Sequence, residues 1–228
     1  MPVALVTGGA RGIGAAIAAR LICDGWDVVA ADLDPAPAGR FVRCDVSDET
    51  EVAALVSGIA AGEGRLDALI CNAGVNIRKP IADLTFSEWS SVLATNLTST
   101  FLLVRAAESL LRRSKGSVVT IASTRAHMSE PNTESYAASK GGLLALTHAL
   151  AISLGPDIRV NCISPGWILT KGPPPTAEEH AFHPAGRVGT ADDIAALTAF
   201  LVGPDSGFIT GAEFVVDGGV TRKMIYPE

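Results

Sequence analysis

The sequence predicts an α/β fold in which helices cover both faces of one doubly wound parallel sheet. Short apolar segments alternate with helical segments along the whole chain, and this alternation is typical of parallel sheets. In addition, 48% of the 228 residues are hydrophobic, so the chain can bury one substantial core. The sequence contains no linker, repeat or low-complexity tract. We therefore expect residues 1–228 to form one domain.

Apolar runs and helical periodicity predict the individual elements. We expect strands at 3–6, 27–31, 40–43, 67–71, 117–122, 158–163 and 212–216. We expect helices at 12–24, 48–60, 86–112, 136–154 and 191–202. Ser87 is expected to cap the helix at 86–112, and Gly155-Pro156 to end the helix at 136–154. Residues 171–186 are proline-rich and aperiodic, which indicates a loop over the site.

A glycine-rich turn, Thr7-Gly-Gly-Ala-Arg-Gly-Ile-Gly14, joins the first strand to the first helix. Such a turn lets the backbone approach a pyrophosphate, which the free N–H groups of the helix N-terminus stabilise. The glycine spacing differs from the strict Gly-x-Gly-x-x-Gly pattern, so an ordinary tight turn is the alternative. Asp32 follows the second strand, where an acidic side chain accepts hydrogen bonds from an adenosine ribose. The two features together favour dinucleotide binding.

Three further residues predict proton-transfer chemistry. Tyr136 and Lys140 are one helical turn apart and share a helix face. A neighbouring ammonium favours the phenolate form and so lowers the pKa of a tyrosine. Ser123 follows a buried strand, so its hydroxyl is expected at the strand's carboxyl end, where open α/β sheets bind ligands. Together these groups could move a proton to or from an alcohol oxygen.

These motifs resemble those of the short-chain dehydrogenase/reductase family from about residue 3 to residue 220. The resemblance extends to Asp45-Val46, Cys71-Asn-Ala-Gly74, Pro165-Gly166 with Thr170, and Asp217-Gly-Gly219. It implies a Rossmann fold and a catalytic tetrad of Asn96, Ser123, Tyr136 and Lys140. It also implies that the cofactor contacts are Gly8, Arg11, Gly12, Ile13, Gly14, Asp32, Leu33, Asp45, Val46, Asn72, Ala73, Gly74, Tyr136, Lys140, Pro165, Gly166, Ile168 and Thr170.

The resemblance also implies a mechanism. Tyr136 would take the hydroxyl proton of an alcohol while hydride leaves the same carbon for a nicotinamide. Ser123 would hydrogen-bond the reacting oxygen and stabilise its developing charge. Lys140 would lower the pKa of the phenol and bind the nicotinamide ribose. Asn96 would hold a water that relays the proton.

The choice between NAD and NADP depends on the residues expected near the adenosine ribose. Asp32 would repel a 2′-phosphate and bind a free 2′-hydroxyl, which favours NAD. Arg11 could pair with a phosphate, which favours NADP. Leu33 follows Asp32, so the sequence offers no second cation there to complete a phosphate pocket. We expect NAD, with NADP as the alternative.

Charge and composition limit the partners. The formal net charge is −6 and Lys and Arg are not clustered, which argues against nucleic acid and anionic membrane as partners. No uninterrupted apolar run reaches about 18 residues, and the N-terminus lacks a basic region followed by an apolar stretch, so we expect a cytoplasmic protein. The four cysteines lack metal-type spacing, and His180-x-x-His183 has no third ligand nearby, so we expect no metal. The family resemblance implies a homo-oligomer, a tetramer or a dimer.

The substrate is expected to be a small molecule. The loop at 171–186 is short and poor in large apolar residues, so it predicts a small polar secondary alcohol or ketone, such as a sugar, polyol or hydroxy acid. Arg125 and His127 could bring polar groups to the rim of the pocket. One alternative is an NADPH-dependent 3-oxoacyl-(acyl-carrier-protein) reductase, for which only Arg78, Lys79 and Arg125 would offer a basic docking surface. The other is a non-enzymatic nucleotide-binding regulator, which would not need the Ser–Tyr–Lys set.

Overall fold

Seven strands form one parallel sheet in the computed structural model, which describes residues 1–224. They are β1 (Val3–Thr7), β2 (Asp27–Asp32), β3 (Arg40–Arg43), β4 (Ala68–Cys71), β5 (Ser117–Ile121), β6 (Arg159–Pro165) and β9 (Glu213–Val216). Their order is β3-β2-β1-β4-β5-β6-β9, and every neighbouring pair is parallel. The strand order reverses between β1 and β4, so a ligand crevice is expected at the carboxyl ends of these strands. The predicted doubly wound parallel sheet is confirmed.

Helices cover both faces of this sheet. They are α1 (Gly12–Cys23), α2 (Glu49–Gly62), α3 (Phe86–Leu93), α4 (Ser99–Ser114), α5 (Glu134–Leu154), α6 (Ala177–Phe182) and α7 (Ala191–Val202). Apolar residues of α2, α4 and α5 form one core with the sheet, which includes Ile59, Leu111 and Leu154. Residues of α1 and α7 form a second core on the opposite face, which includes Leu21 and Leu201.

The prediction of one continuous α-helix at 86–112 is wrong. A five-residue π-helical turn, Ala94–Thr98, separates α3 from α4 and contains Asn96. The expected cap at Ser87 is also wrong, because Ser87 lies inside the first turn of α3. Thr85 is the cap: its hydroxyl accepts from the Glu88 N–H at 3.2 Å, and the Glu88 carboxylate accepts from the Thr85 N–H at 3.0 Å. This reciprocal capping box places the cap two residues earlier than expected, and the helix begins at Phe86, as predicted.

The segment at 171–186 is more ordered than the predicted loop. It contains the short helix α6, which begins with a second capping box between Thr176 and Glu179. Two short strands, β7 (Ile168–Leu169) and β8 (Gly189–Thr190), pair with each other on either side of the segment. The Thr-x-x-Glu pattern that starts α6 was available in the sequence. The proline content alone favoured a loop.

By length and mean hydropathy alone, α5 could cross a membrane, since it has 21 residues and a mean hydropathy of 1.2 over its most apolar window. A core helix of a globular protein meets the same criterion. Here α5 packs against the sheet through Leu143, Ala151 and Leu154, and it buries Lys140 beside β5. Its apolar character is therefore explained by its position in the fold.

Candidate active site

The glycine-rich turn lies at the carboxyl end of β1, and its packing requires glycine at several positions. Gly8 and Gly12 have φ angles of +67° and +55°, a region that side chains disfavour. A Cβ at Gly14 would lie 2.0 Å from the carbonyl oxygen of Gly8. A Cβ at Gly12 would lie 3.2 Å from Thr170, so a side chain there would fill the space between the turn and residue 170. Because glycines leave the backbone of the turn uncovered, the turn has the shape of a site that binds a dinucleotide pyrophosphate.

Asn72 and Ala73 connect β4 to the glycine-rich turn. The Asn72 side-chain amide donates to the carbonyl oxygens of Thr7 at 2.9 Å and Gly8 at 3.1 Å. The backbone N–H groups of Asn72 and Ala73 both donate to the Thr7 hydroxyl, at 3.1 and 3.2 Å. These contacts fix the turn against the neighbouring strand. Cys71, the residue before them, is buried, and burial raises its thiol pKa to about 12.

Asp32 ends β2 and contacts the same turn. One carboxylate oxygen accepts from the Ala10 N–H at 2.9 Å, and the other accepts from the Asp34 N–H at 3.2 Å. Arg11 forms an ion pair with Asp34 at 2.9 Å. Sequence reasoning missed Asp34, although it lies only two positions after Asp32. Two carboxylates, Asp32 and Asp34, therefore lie at the end of β2, where the adenosine ribose is expected, and Asp34 is paired with Arg11.

The other residues expected near the adenine lie beside this strand end. Leu33 is exposed, and Val46 is buried. The Asp45 carboxylate accepts from the Ser47 hydroxyl at 2.7 Å and from the Ser47 N–H at 2.9 Å. These hydrogen bonds hold the pKa of Asp45 below its usual range. The Cys44 N–H donates to the Asp32 carbonyl at 3.0 Å, which places Asp45 next to the end of β2.

Ser123, Tyr136 and Lys140 line one cavity of about 270 Å³. The Ser123 hydroxyl accepts from the Arg125 N–H at 3.2 Å and hydrogen-bonds the Tyr136 phenol. Lys140 is buried, donates to the Ile121 carbonyl at 2.7 Å, and lies 5.5 Å from the centre of the Tyr136 ring. The cavity wall also contains seven further expected residues, which are Ile13, Asn72, Gly74, Pro165, Gly166, Ile168 and Thr170. Val75, Asn76, Ile121 and Ala122 complete it.

The electrostatics of Tyr136 differ from the expectation. Burial raises the pKa of the phenol, whereas the hydrogen bond with Ser123 and the positive charge of Arg125 lower it. Burial also lowers the pKa of Lys140 to about 8. The Lys140 ammonium donates to a backbone carbonyl, and the positive charge that lowers the pKa of Tyr136 in the protein alone is that of Arg125.

Asn96 is buried in the π-helical turn and braces the loop after β4. Its side-chain oxygen accepts from the Val75 N–H at 2.8 Å. Its amide nitrogen donates to the Val75 carbonyl at 2.9 Å and to the Ser139 hydroxyl at 3.0 Å. A Cβ at Gly74 would lie 3.4 Å from the Asn96 oxygen and 3.6 Å from the Lys140 nitrogen. Asn96 therefore joins this loop to α5 close to Lys140.

The segment Pro165–Thr170 lies over a turn near the C-terminal end of the described residues. A Cβ at Gly166 would lie 2.6 Å from the Asp217 Cβ, so the two segments are in close contact. The Asp217 carboxylate accepts from the N–H groups of Gly219 at 2.8 Å and Thr221 at 2.7 Å. This turn therefore packs against the segment that is expected to bind the nicotinamide.

Two rim residues that were expected to be available to a substrate are paired with carboxylates. Arg125 pairs with Glu130 at 2.5 Å, and Arg78 pairs with the other oxygen of Glu130, also at 2.5 Å. His127 pairs with Glu213 at 2.7 Å. Sequence reasoning missed Glu130, because its pairing with Arg78 spans 52 positions. Among residues 1–224, no group of three or more His, Cys, Asp or Glu side chains is placed to hold a metal.

Sequence comparison relates nearly the whole chain to oxidoreductases. A family profile described as Enoyl-(Acyl carrier protein) reductase matches residues 8–221. An uncharacterized oxidoreductase of Thermotoga maritima is 46% identical, with 99% of this chain and 98% of the relative covered. D-threitol dehydrogenase of Mycolicibacterium smegmatis is 37% identical, covering 97% and 93%. The 3-oxoacyl-[acyl-carrier-protein] reductase MabA of Mycobacterium tuberculosis is 35% identical, covering 95% and 91%.

Structure comparison gives the same relationship. An apo SCOR enzyme from Clostridium thermocellum is similar with a TM-score of 0.92 at 39% identity, covering 98% of this chain and 94% of that one. The ligand-free aldohexose dehydrogenase of Thermoplasma acidophilum is similar with a TM-score of 0.93 at 29% identity, covering 100% and 97%. The similarity therefore includes the sheet, both helical layers and the cavity wall.

Proposed function

Because this chain belongs to the short-chain dehydrogenase/reductase family, as its motifs predicted, we propose that it transfers hydride between NAD and a small polar secondary alcohol or its ketone. The family profile and the relatives make it an NAD(P)-dependent oxidoreductase acting on CH–OH groups. The observation that carries the proposal is the convergence of Ser123, Tyr136 and Lys140 on one cavity beside the glycine-rich turn.

Each residue of this set has a separate role in the proposed mechanism. The bound nicotinamide supplies the acceptor or donor of hydride. In oxidation Tyr136 accepts the hydroxyl proton, and Ser123 hydrogen-bonds the same oxygen. Lys140 holds the nicotinamide ribose, and its ammonium remains beside the phenol. Asn96 positions the loop after β4 and supports the water that carries the proton away.

The pKa of Tyr136 sets the expected pH dependence. Because burial raises this pKa, the phenol is protonated at neutral pH and can donate a proton in ketone reduction. Alcohol oxidation requires the deprotonated form. We therefore expect the oxidation rate to increase with pH in the alkaline range, and the reduction rate to decrease with pH in that same range.

We propose NAD as the preferred cofactor because of the charges at the end of β2. Asp32 would accept hydrogen bonds from the ribose hydroxyls, and the ion pair between Asp34 and Arg11 supports this choice. A 2′-phosphate would face two carboxylates and an arginine that is already paired. This arrangement favours a free 2′-hydroxyl.

We propose that residues 171–186, with α6, form the substrate loop of a single catalytic domain. The cavity of about 270 Å³ has Asn76 and Ser123 on its wall, so it suits a small polar substrate. The similarity to D-threitol dehydrogenase and aldohexose dehydrogenase supports a polyol or sugar.

The second candidate function is reduction of 3-oxoacyl groups carried on acyl carrier protein, which the similarity to MabA and the name of the family profile favour. The charges argue against it. Arg78 and Arg125 pair with Glu130, and Lys79 pairs with Glu88, so this part of the rim is not a free basic docking surface. No observation favours a non-enzymatic regulator.

Absorbance of reduced nicotinamide tests the proposal. Purified protein is assayed with NAD or NADP and a panel of polyols, aldoses and hydroxy acids. In the reverse direction it is assayed with NADPH and 3-oxoacyl thioesters. We expect NAD reduction with small polyols or aldoses. Turnover confined to NADPH and the thioesters would establish the second candidate instead.

We further propose a symmetric homo-oligomer, a tetramer or a dimer, located in the cytoplasm. Two apolar side chains on neighbouring helices support an interface: Phe101 on α4 is 47% exposed and Ile152 on α5 is 84% exposed. Light scattering at micromolar concentration should show a species larger than the 23.5 kDa of one chain. A purely monomeric solution would contradict this proposal.

A further inference from the structure

Arg78, Glu130 and Arg125 form a charged group, the rim cluster, on the loops that follow β4 and β5. Glu130 uses one carboxylate oxygen for each arginine, at 2.5 Å in both pairs. Arg78 lies two residues after Asn76, and Arg125 lies two residues after Ser123; Asn76 and Ser123 both line the cavity. The rim cluster therefore joins the loops that follow β4 and β5, and each of these loops contributes a residue to the cavity wall.

The rim cluster is connected directly to the reacting groups. The Arg125 N–H donates to the Ser123 hydroxyl at 3.2 Å, and the Arg125 charge lowers the pKa of Tyr136. Two guanidinium groups face one carboxylate, and each guanidinium has five N–H donors, so both retain donors beyond those given to Glu130. A substrate hydroxyl can accept from these donors or donate to Glu130. A substrate carboxylate can only accept, so it would compete with Glu130 for the two guanidinium groups, and the negative charge of Glu130 would offset part of their attraction.

We propose that Glu130 is a specificity-determining residue: by occupying both arginines, it selects neutral polyhydroxylated alcohols over substrates that carry a carboxylate. This inference rests on the proposed function and narrows its substrate class. Without Glu130, the same two arginines would form a cationic subsite for a carboxylate next to the reacting carbinol, since bidentate pairing with carboxylates is the preferred geometry of arginine. Specificity of this kind depends on the repulsive element as much as on the attractive ones.

The partial exposure of the rim cluster makes it suitable for mutation. The side chains of Arg78, Glu130 and Arg125 are 57%, 44% and 28% exposed. Ion pairs at such exposure contribute little to folding stability. The isosteric substitution Glu130→Gln is therefore expected to preserve the fold, with an unchanged thermal unfolding midpoint as the check.

The test compares matched substrates in matched variants. For wild type, Glu130→Gln and Glu130→Asp, kcat/KM with NAD is measured for threitol and for the corresponding four-carbon aldonate. In Glu130→Gln the ratio of aldonate to threitol should increase about tenfold or more, mainly through a lower KM for the aldonate, because a hydrogen bond to an ionised group becomes available. Glu130→Asp keeps the charge and should keep the wild-type preference. The gain should diminish at high salt.

Glu108→Gln is the control, since Glu108 pairs with Arg112 away from the cavity and Arg112 keeps Asp157 as a partner. Its substrate ratio should equal that of wild type. If wild type oxidises threitol but Glu130→Gln leaves the ratio unchanged, the inference is wrong and the proposed function stands. If wild type prefers the aldonate, the inference is also wrong. If wild type oxidises neither polyols nor aldoses with NAD, both the inference and the proposed function are wrong.

Discussion

Substitution of Asp32 by asparagine should weaken NAD and strengthen NADP binding, and the structure allows the two effects to be separated. The asparagine oxygen can still accept from the Ala10 N–H, a contact of 2.9 Å in the wild type, so the glycine-rich turn should keep its shape. The substitution removes the charge. Hydrogen bonds to charged groups contribute about 1.5–3 kcal/mol and neutral ones about 0.5–1.5, so NAD binding should weaken by about 1–2 kcal/mol, or about 5- to 30-fold.

In Asp32→Asn the gain in binding free energy for NADP should be larger than the loss in binding free energy for NAD. Two like unit charges 4 Å apart repel by about 4 kcal/mol at an effective dielectric constant of 20, which is an upper value for this open site. Asp34→Asn should add less, because Asp34 and Arg11 are 61% and 82% exposed and their pairing is screened. It would nevertheless free Arg11 to meet the 2′-phosphate.

Calorimetric titration of wild type, Asp32→Asn, Asp34→Asn and the double variant with both cofactors measures these effects. Asp32→Ala is the comparison, since it also removes the acceptor for the Ala10 N–H. It should weaken the binding of both cofactors more than Asp32→Asn does. A wild type that already binds NADP more tightly than NAD would refute the reasoning. So would an Asp32→Asn variant with an unchanged ratio of the two dissociation constants.

Three further predictions concern stability. Burial lowers the folded-state pKa of Lys140 from 10.5 to about 8. Between these two pH values the unfolded chain binds more protons than the folded chain, so the free energy of unfolding should increase with pH. Denaturant titrations of Lys140→Met should show no such increase. Asn96→Ala leaves the partly buried N–H and carbonyl of Val75 without their Asn96 partners, so it should lower the free energy of unfolding by about 1–3 kcal/mol. An unchanged value would contradict the bracing role. Gly14→Ala should disrupt folding, because its Cβ would lie 2.0 Å from the Gly8 oxygen. Gly58 lies in open space within α2, so Gly58→Ala should leave the stability measured by thermal unfolding unchanged or raise it by about 0.5–1 kcal/mol.

The regular part of the fold was predictable because its causes are local in sequence. Apolar runs bounded by turn residues gave all seven strands of the main sheet within about two residues of their observed limits. Helix α7 was predicted at 191–202, its observed range. Residues that follow successive parallel strands meet at one edge of the sheet, so the convergence of Ser123 with the glycine-rich turn could also be anticipated.

The rest could not be predicted because its causes are distant in sequence. The π-helical turn depends on a pairing between Asn96 and the Val75 backbone, which only the folded chain brings together. The pairing of Arg78 with Glu130 joins residues 52 positions apart. The direction of the pKa of Tyr136 depends on how deeply the phenol is buried, and the pattern Tyr-x-x-x-Lys carries no information about burial.

The turnover of Tyr136→Phe tests the central claim most directly. The substitution removes only the phenolic oxygen, so the fold and NAD binding should be preserved, as unfolding and titration measurements can verify. With a polyol that wild type oxidises, kcat should fall by about 10²- to 10⁴-fold, because the group that accepts the proton is lost. A Tyr136→Phe variant that binds NAD normally and oxidises the polyol at the wild-type rate would contradict the account.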